Sequence, residues 1–187
     1  MELRMSPAEA GLFRSFVSCA SSYLEFGAGG STVLASELVA GPVYSIESDT
    51  AWIDKVKGLA APSTYERKFL FADIGQTGHW GVPTNPHGEV DYLNYHQNIW
   101  EYIDREFDMY FIDGRFRVAC ACQSLLRCKP DSIMLIHDYR SRRHYHMIEK
   151  IAAPIAEAED MTAFRRRPEA SFRLINEVLA KYEIDHA

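Results

Sequence analysis

The chain has 187 residues, of which 47% are hydrophobic and 25% are charged, and its formal net charge is −6. A chain of this length accommodates one domain with a substantial core, and its hydrophobic content excludes an intrinsically disordered protein. The acidic balance argues against nucleic acid or an anionic membrane as the partner. No apolar run approaches a membrane span and the first residues lack a signal-peptide pattern, so we expect a cytoplasmic protein.

Strand and helix patterns alternate along the chain. A capping box with proline at the first helical position, beginning at Ser6, predicts a helix to about residue 18 within an N-terminal segment, 1–20. Apolar runs that end in polar residues predict strands at 22–26, 43–47, 67–72, 108–112 and 132–136, with a sixth candidate at 161–165. Helices are predicted at 31–39, 50–59, 94–105, 118–128 and 143–156, and residues 171–182 fit either a helix or a strand followed by a short helix.

This alternation predicts a single α/β domain over residues 1–187. We expect a Rossmann-like, doubly wound, mostly parallel sheet of about six or seven strands with helices on both faces. Residues 75–93 lack periodicity, and a structureless segment of this length inside a compact domain is usually functional. We interpret this segment as a candidate lid loop, although its aromatic residues also fit a dimer contact or a cover for the core edge.

A glycine-rich turn lies within residues 23–34, between the first strand and the second helix. Such a turn places backbone N–H groups and the positive end of a helix dipole at the carboxyl edge of a sheet. In an open α/β sheet this edge binds nucleotide-like ligands. The turn is therefore the predicted centre of the site.

Acidic residues stand at the ends of five successive predicted strands, and one of these ends also carries a histidine. A single acid at a strand end is often only a helix N-cap, but five in succession are harder to explain in that way. In this architecture the strand ends converge on the ligand crevice. The residues are Glu25, Glu47, Asp73, Asp113, and His137 with Asp138.

A nicotinamide-dinucleotide site would require the pattern Gly-x-Gly-x-x-Gly, and Thr32 stands where the third glycine belongs. Glu47 does not separate the alternatives, because an acid at the end of the second strand also binds ribose in dinucleotide folds. The pattern Glu25-x-Gly27-x-Gly29-x-Ser31 resembles instead the first motif of the class I S-adenosylmethionine-dependent methyltransferases, with Ser31 in place of the last glycine.

Two later segments extend the resemblance. Residues 111–115 (Phe-Ile-Asp-Gly-Arg) and 135–139 (Leu-Ile-His-Asp-Tyr) are similar to the fourth and fifth strand ends of a small-methyltransferase branch of this superfamily. The resemblance covers residues 23–139, and it implies S-adenosylmethionine as cofactor. The cofactor-binding residues that it implies are Glu25, Phe26, Gly27, Ala28, Gly29 and Ser31 at the turn, Glu47 and Ser48 at the ribose, Asp73 and Ile74 at the adenine, and Asp113 near the sulfonium.

The resemblance places His137 and Asp138 on the acceptor side as catalytic residues. His137 is the natural general base, because a histidine pKa can lie near neutrality, although a hydrogen-bonded structural histidine is an equal alternative. Some relatives bind Mg²⁺ through acids that match Asp113 and Asp138, but Tyr139 replaces their asparagine. We therefore predict that no metal is bound. If one is present, Asp113 and Asp138 are its predicted ligands.

Basic residues follow the fourth and fifth predicted strands, at helix N-termini where cations are electrostatically disfavoured. We interpret Arg115, Arg140 and Arg142 as binding residues for a small-molecule acceptor that carries a carboxylate or phosphate. Pairing of these arginines with neighbouring acids is an equally weighted alternative. The acid-rich composition and the lack of a base-flipping motif argue against a nucleic-acid acceptor.

The sequence therefore predicts a methyltransferase that uses S-adenosylmethionine and a small acceptor, with an anionic group on the acceptor as a hypothesis. Two alternatives remain open at this point. One is a protein that binds S-adenosylmethionine or S-adenosylhomocysteine without catalysis, and the other is an NAD-dependent enzyme. A homodimer is a further hypothesis, and no membrane partner is expected.

Overall fold

The computed structural model describes residues 1–84 and 92–186. The strands are β1 (Tyr23–Phe26), β2 (Val43–Glu47), β3 (Arg67–Phe71), β4 (Met109–Ile112), β5 (Ile133–Ile136), β6 (Ala152–Ala158) and β7 (Met161–Arg166). The α-helices are α1 (Pro7–Val17), α2 (Gly30–Leu38), α3 (Thr50–Lys57), α4 (Leu93–His96), α5 (Arg117–Arg127) and α6 (Phe172–Leu179). Short 3₁₀ helices occupy His79–Gly81, Asn98–Tyr102 and Arg143–Lys150. None of the helices in these residues is long and apolar enough to cross a membrane.

The seven strands form one sheet in the order β3-β2-β1-β4-β5-β7-β6. Strands β1 to β5 are parallel to one another, whereas β7 runs antiparallel to both β5 and β6. The predicted Rossmann-like, mostly parallel sheet is thereby confirmed. The strand order reverses between β1 and β4, and such a switch point opens a crevice at the carboxyl ends of the strands.

Helices cover both faces of the sheet, as the doubly wound fold requires. Phe13 of α1 and Leu34 of α2 pack with Phe111 and Leu135 on one face. On the other face, helices α5 and α6 pack against apolar side chains of β1, β4 and β5. Burial on both faces explains why the central strands are continuous apolar runs rather than alternating patterns.

The predicted helix over residues 143–156 is wrong in its second half. A 3₁₀ helix ends at Lys150, and the chain then forms β6, which pairs with β7 through a turn containing Glu159. Pro154 explains the difference, because proline in a helix interior removes a hydrogen bond and clashes with the preceding turn. Its place on an edge strand with a register shift is one that proline tolerates.

The predicted helix over 94–105 is interrupted after His96. In a continuous α-helix the backbone N–H of Trp100 would donate to the carbonyl of His96. Here the indole Nε1 of Trp100 donates to that carbonyl at 2.9 Å, and the backbone N–H of Trp100 donates to Gln97 instead. The side chain thus displaces the helical hydrogen bond, and a 3₁₀ helix follows.

The candidate lid loop, 75–93, is described only in part, because residues 85–91 lie outside the described residues. Residues 76–84 are not structureless. The N–H of Gly78 donates to the carbonyl of Val82 at 2.8 Å, and the N–H of Thr84 donates to that of Gln76 at 2.9 Å. A compact hairpin that carries Trp80 near its tip therefore follows β3.

Candidate active site

Two glycines meet at the switch point between β1 and β4. Gly27 has φ +96°, and a Cβ placed on it would lie 2.7 Å from Cα of Gly114. A Cβ on Gly114 would lie 2.0 Å from the hydroxyl of the buried Tyr95. Both positions therefore require glycine, one for its positive φ and both for the close approach of the two backbones. The contact fixes the glycine turn against the end of β4.

Glu47, at the end of β2, contacts the glycine turn. Its carboxylate accepts the N–H of Ala28 at 3.2 Å on Oε2, and the N–H and hydroxyl of Ser48 at 2.6 and 3.3 Å on Oε1. Burial raises the pKa of Glu47. A carboxylate has about four acceptor positions, so Oε2 retains one for a further donor beside the turn.

Glu25 lies beneath the turn rather than on its open side. Its fully buried carboxylate accepts hydroxyl donors from Tyr23 at 2.9 Å, Ser31 at 2.8 Å and Ser45 at 2.6 Å. Burial raises the pKa of Glu25 to about 7. The serine that replaces the last motif glycine thus serves as a hydrogen-bond donor to Glu25. Direct ligand contact by the Glu25 and Ser31 side chains, as expected from the resemblance, does not fit this arrangement.

The other predicted cofactor residues divide between the core and the surface. The side chains of Phe26 and Ile74 are buried in the core, so only their backbones can face the crevice. Asp73 is exposed and accepts the N–H of Gly75 at 2.9 Å. A Cβ on Gly29 would meet nothing within 4 Å, which identifies an open side of the turn.

Arg117 connects the ends of β4 and β5, although the sequence patterns did not assign it to the site. Its side chain is only 3% exposed. The guanidinium donates to the carbonyls of Gly114, Asp113 and His137, and it lies 3.2 Å from the carboxylates of both Asp113 and Asp138. The spacing Asp113-x-x-x-Arg117, which is a helical i, i+4 pair, is the sequence signal that could have identified it.

His137 is surrounded by acids. Its Nδ1 lies 3.0 Å from Asp113 and 3.6 Å from Asp138, and its Nε2 lies 3.6 Å from Glu9 of α1. Burial alone would lower the pKa of His137, but the hydrogen bond to Asp113 and the two nearby aspartates raise it to about 9. His137 is therefore protonated near neutral pH and has no lone pair for a proton. The structure argues against the predicted general base.

Asp113 is held in its charged form. Burial would raise the pKa of Asp113, but the hydrogen bond from His137 and the charge of Arg117 lower it below the ordinary value. Phe116 and Asp138, which follow β4 and β5, both adopt left-handed backbone conformations with φ of 53° and 52°. Such conformations are uncommon for residues other than glycine and cluster at functional sites.

Asp113, His137 and Asp138 could each bring one ligand atom within 4.8 Å of the others. The donor set nevertheless does not suit a divalent cation. Arg117 contacts both carboxylates, Arg142 lies 3.1 Å from that of Asp138, and His137 carries a proton. Oxygen ligands for Mg²⁺ must be free of competing cations. We therefore assign no role to a metal here.

The three arginines predicted to bind the acceptor do not lie together. Arg140 is exposed and pairs with Glu157 of the edge strand β6 at 2.9 Å. It therefore does not join Arg115 and Arg142 as a candidate acceptor-binding residue. Arg142 contacts Asp138 and the hydroxyl of Tyr145, at 3.1 and 3.0 Å. The Nε of Arg115 is buried without a hydrogen-bond partner. Burial and the neighbouring charge of Arg117 lower the pKa of Arg115.

Asp160, in the turn between β6 and β7, holds the loop that follows β5. Its carboxylate accepts the N–H and the hydroxyl of Ser141 at 2.7 and 2.6 Å, and its carbonyl accepts the N–H of Tyr139 at 2.6 Å. Glu9 accepts the N–H of Asp160 at 3.1 Å. The loop after β5 is therefore fixed by residues from α1 and from the antiparallel strand pair, which local sequence patterns do not connect.

We expect Arg117→Gln to lower the free energy of unfolding by about 1.5–3 kcal/mol, because the change removes the charged donor that the half-buried carboxylates of Asp113 and Asp138 share. Urea unfolding at neutral pH measures this difference. Arg143→Gln, at an exposed arginine, is the matched control and should change stability by less than about 0.5 kcal/mol. Equal stabilities for Arg117→Gln and the control would contradict the assigned role.

A second prediction concerns pH. The pKa of His137 is raised from 6.5 to about 9 by folding, so its stabilising contribution is complete below pH 6.5 and is lost as pH rises through about 9. Over this interval the wild type should lose on the order of 2–3 kcal/mol more stability than His137→Gln. Urea unfolding of both proteins at several pH values measures this difference. Because the other titrating groups are common to both proteins, their contribution cancels. Parallel pH profiles would refute the raised pKa.

No protein-family model and no curated protein matches this sequence. Among solved structures, the chain is similar to a methyltransferase-like protein from Silicibacter pomeroyi, with 31% identity, a TM-score of 0.84, and coverage of 100% of this chain and 98% of that chain. It also resembles the N-methyltransferase NodS from Bradyrhizobium japonicum in complex with S-adenosylhomocysteine, with 12% identity, a TM-score of 0.54, and coverage of 89% and 91%.

A TehB-like S-adenosylmethionine-dependent methyltransferase from Corynebacterium glutamicum matches with 12% identity, a TM-score of 0.51, and coverage of 86% of this chain and 88% of that chain. At this level of identity, it and NodS show the fold alone. The similarity to the Silicibacter pomeroyi protein extends over the whole length of this chain and includes the glycine turn and the strand ends. The chain belongs to the class I S-adenosylmethionine-dependent methyltransferase superfamily.

Proposed function

We propose that the protein binds S-adenosylmethionine and transfers its methyl group to a small acceptor that carries a negative charge. The observation that carries the proposal is the meeting of Glu47 with the glycine turn at the switch point of the sheet, where Ala28 donates to the Glu47 carboxylate. This arrangement joins an acid suited to a ribose diol to a turn that a ligand can approach closely.

The cofactor is proposed to lie along the open side of the turn, over Gly29. Glu47 would accept a ribose hydroxyl through the remaining acceptor position of Oε2, beside the backbone of Ser48. The exposed carboxylate of Asp73 and the backbone of Ile74 would meet the adenine. Asp113 stays anionic and stands at the end of β4, where its charge would attract the sulfonium.

Glu25, Phe26 and Ser31 would support the turn from below. Glu25 and Ser31 are joined to each other, and Phe26 accepts the N–H of Asp113 at 3.0 Å through its carbonyl. We propose that these three residues position the turn and leave direct contact to the backbone of Gly27 to Gly29. NodS, which shares the fold, forms a complex with S-adenosylhomocysteine, and this supports a cofactor of that kind here.

The acceptor side is proposed to lie between the ends of β4 and β5. Four cationic groups gather there, Arg115, Arg117, Arg142 and protonated His137, among the carboxylates of Glu9, Asp113, Asp138 and Asp160. Arg115 forms no ion pair with the residues that the structure describes, and its buried Nε lacks an acceptor. A carboxylate or phosphate on the acceptor would pair with Arg115.

The bound cofactor would supply an electrophilic methyl group for in-line displacement. The protein contributes alignment of the acceptor with that methyl group and a fixed electrostatic environment, both of which lower the barrier. We propose that His137 and Asp138 act in this second way, as parts of a charged cluster, rather than by proton transfer. This arrangement suits an acceptor atom that is already nucleophilic near neutral pH.

The NAD alternative fits the turn less well. Thr32 stands where a dinucleotide-binding turn carries its third glycine, and its hydroxyl accepts the N–H of Gly29 at 2.8 Å. This contact occupies an N–H that a pyrophosphate would need. A binding protein without catalysis shares the same cofactor site, so activity must separate it from an enzyme.

Calorimetric titrations with S-adenosylhomocysteine and with NADH test the cofactor. We expect binding of S-adenosylhomocysteine and none of NADH. Glu47→Gln should weaken the former by about tenfold or more, since a hydrogen bond to a charged group is lost. Glu37→Gln, at an exposed glutamate of α2, should bind as the wild type does. Binding of NADH alone would overturn the proposal.

The acceptor is tested by release of S-adenosylhomocysteine in the presence of pools of small carboxylic acids, and of the same compounds as amides. We expect turnover with the acids only. With a responding acid, Arg115→Gln and Arg142→Gln should each raise KM by about tenfold, since a charged hydrogen bond is lost, and leave cofactor affinity unchanged. Arg140→Gln is the matched control, because Arg140 pairs with Glu157.

Equal turnover of acids and amides would refute the anionic acceptor. If the protein binds the cofactor but turns over no pool, including a pool of phosphorylated compounds, the result would favour a binding protein without catalysis. A fall in cofactor affinity in Arg115→Gln equal to the rise in KM would place this arginine at the cofactor instead.

A further inference from the structure

The segment before α1 packs on the start of α2, directly beside the glycine turn. A Cβ on Gly30 would lie 2.5 Å from the carbonyl oxygen of Glu2 and 3.1 Å from Cα of Leu3. Leu3 and Met5 also pack against the apolar cluster between α1, α2 and the sheet. These contacts anchor residues 2–5 on one wall of the proposed cofactor crevice.

The hairpin after β3 forms a second wall of the proposed crevice, beside the end of β2. Gly81 has φ +69°, and a Cβ placed on it would lie 3.6 Å from the hydroxyl oxygen of Ser48. The hairpin tip therefore approaches the end of β2. Trp80 precedes this glycine and also has a positive φ, of 62°. The hydrogen bonds between its two arms make the hairpin a defined unit of the fold.

Arg4 joins these two walls. Its guanidinium carbon lies 4.3 Å from the ring centroid of Trp80, within the range of a cation–π interaction. Arg4 forms no ion pair with the residues that the structure describes, and 59% of Trp80 is exposed. Neither side chain belongs to the core, so core packing does not explain why they meet.

We propose that Arg4 and Trp80 form a latch across the cofactor crevice, and that opening of this latch limits how fast the cofactor enters and leaves. The inference rests on the proposed cofactor site, since the latch joins the segment beside Gly30 to the hairpin beside Ser48, and both lie next to residues assigned to the cofactor. The contact is noncovalent and exposed, which suits a device that opens at each exchange. The stacked guanidinium holds residues 2–5 against the hairpin when the latch is closed.

Stopped-flow measurements of S-adenosylhomocysteine association and dissociation test the latch in the full chain. An exposed cation–π contact changes a rate by about two- to fivefold when it is lost. We expect Arg4→Gln and Trp80→Leu each to raise both rate constants by such a factor, so that Kd changes less than the dissociation rate. The double variant should exceed neither single variant, because both changes remove the same contact.

Two controls separate the latch from general effects. Arg4→Lys retains a cation over the ring and should remain close to the wild type, and Arg14→Gln, at an exposed arginine of α1, should equal the wild type. An unchanged dissociation rate in Arg4→Gln would overturn the latch while leaving the proposed function intact. Multiplicative effects in the double variant would also overturn it. Failure of the wild type to bind S-adenosylhomocysteine would overturn the proposed function, and the latch with it.

Discussion

The site depends on one buried cation, Arg117, which is held between the ends of two parallel strands. Removing a guanidinium from water is costly, and the cost is offset only when its donors are satisfied and its charge is balanced. Here three carbonyls and two carboxylates surround it. The same contacts keep Asp113 anionic, and that anion in turn helps to keep His137 protonated.

The glycine turn is organised in two layers. Below it, the buried Glu25 is enclosed by three hydroxyl donors, which anchor the turn to β1 and β2. Above it, Gly29 leaves open space and Glu47 keeps acceptor capacity. Contact between Gly27 and Gly114 sets the distance from this turn to the end of β4. The acid of the first motif therefore supports the crevice, whereas the acid of β2 faces it.

The charge state of the cluster changes the account of catalysis. A histidine at a strand end suggests proton transfer when only its ordinary pKa is considered. The neighbouring carboxylates of Asp113 and Asp138 raise its pKa to about 9, so near neutral pH it is a cation that can shape an electrostatic field and has no free lone pair for a proton. Arg115, whose buried Nε has no acceptor, adds a further cation beside the ends of β4 and β5 in an otherwise acidic protein.

Strands β1 to β5, the glycine turn and the acids at the strand ends could be predicted from the sequence, because apolar runs, glycine spacing and helix caps are local signals. These signals did not predict β6, since the alanine-rich run at 152–158 resembles a helix and its pairing with β7 is not local. Because β6 was not predicted, the ion pair between Arg140 and Glu157 of this strand was not predicted either. The roles of Arg117 and His137 follow from the folded structure alone, because burial and neighbours distant in sequence set the charge of a side chain.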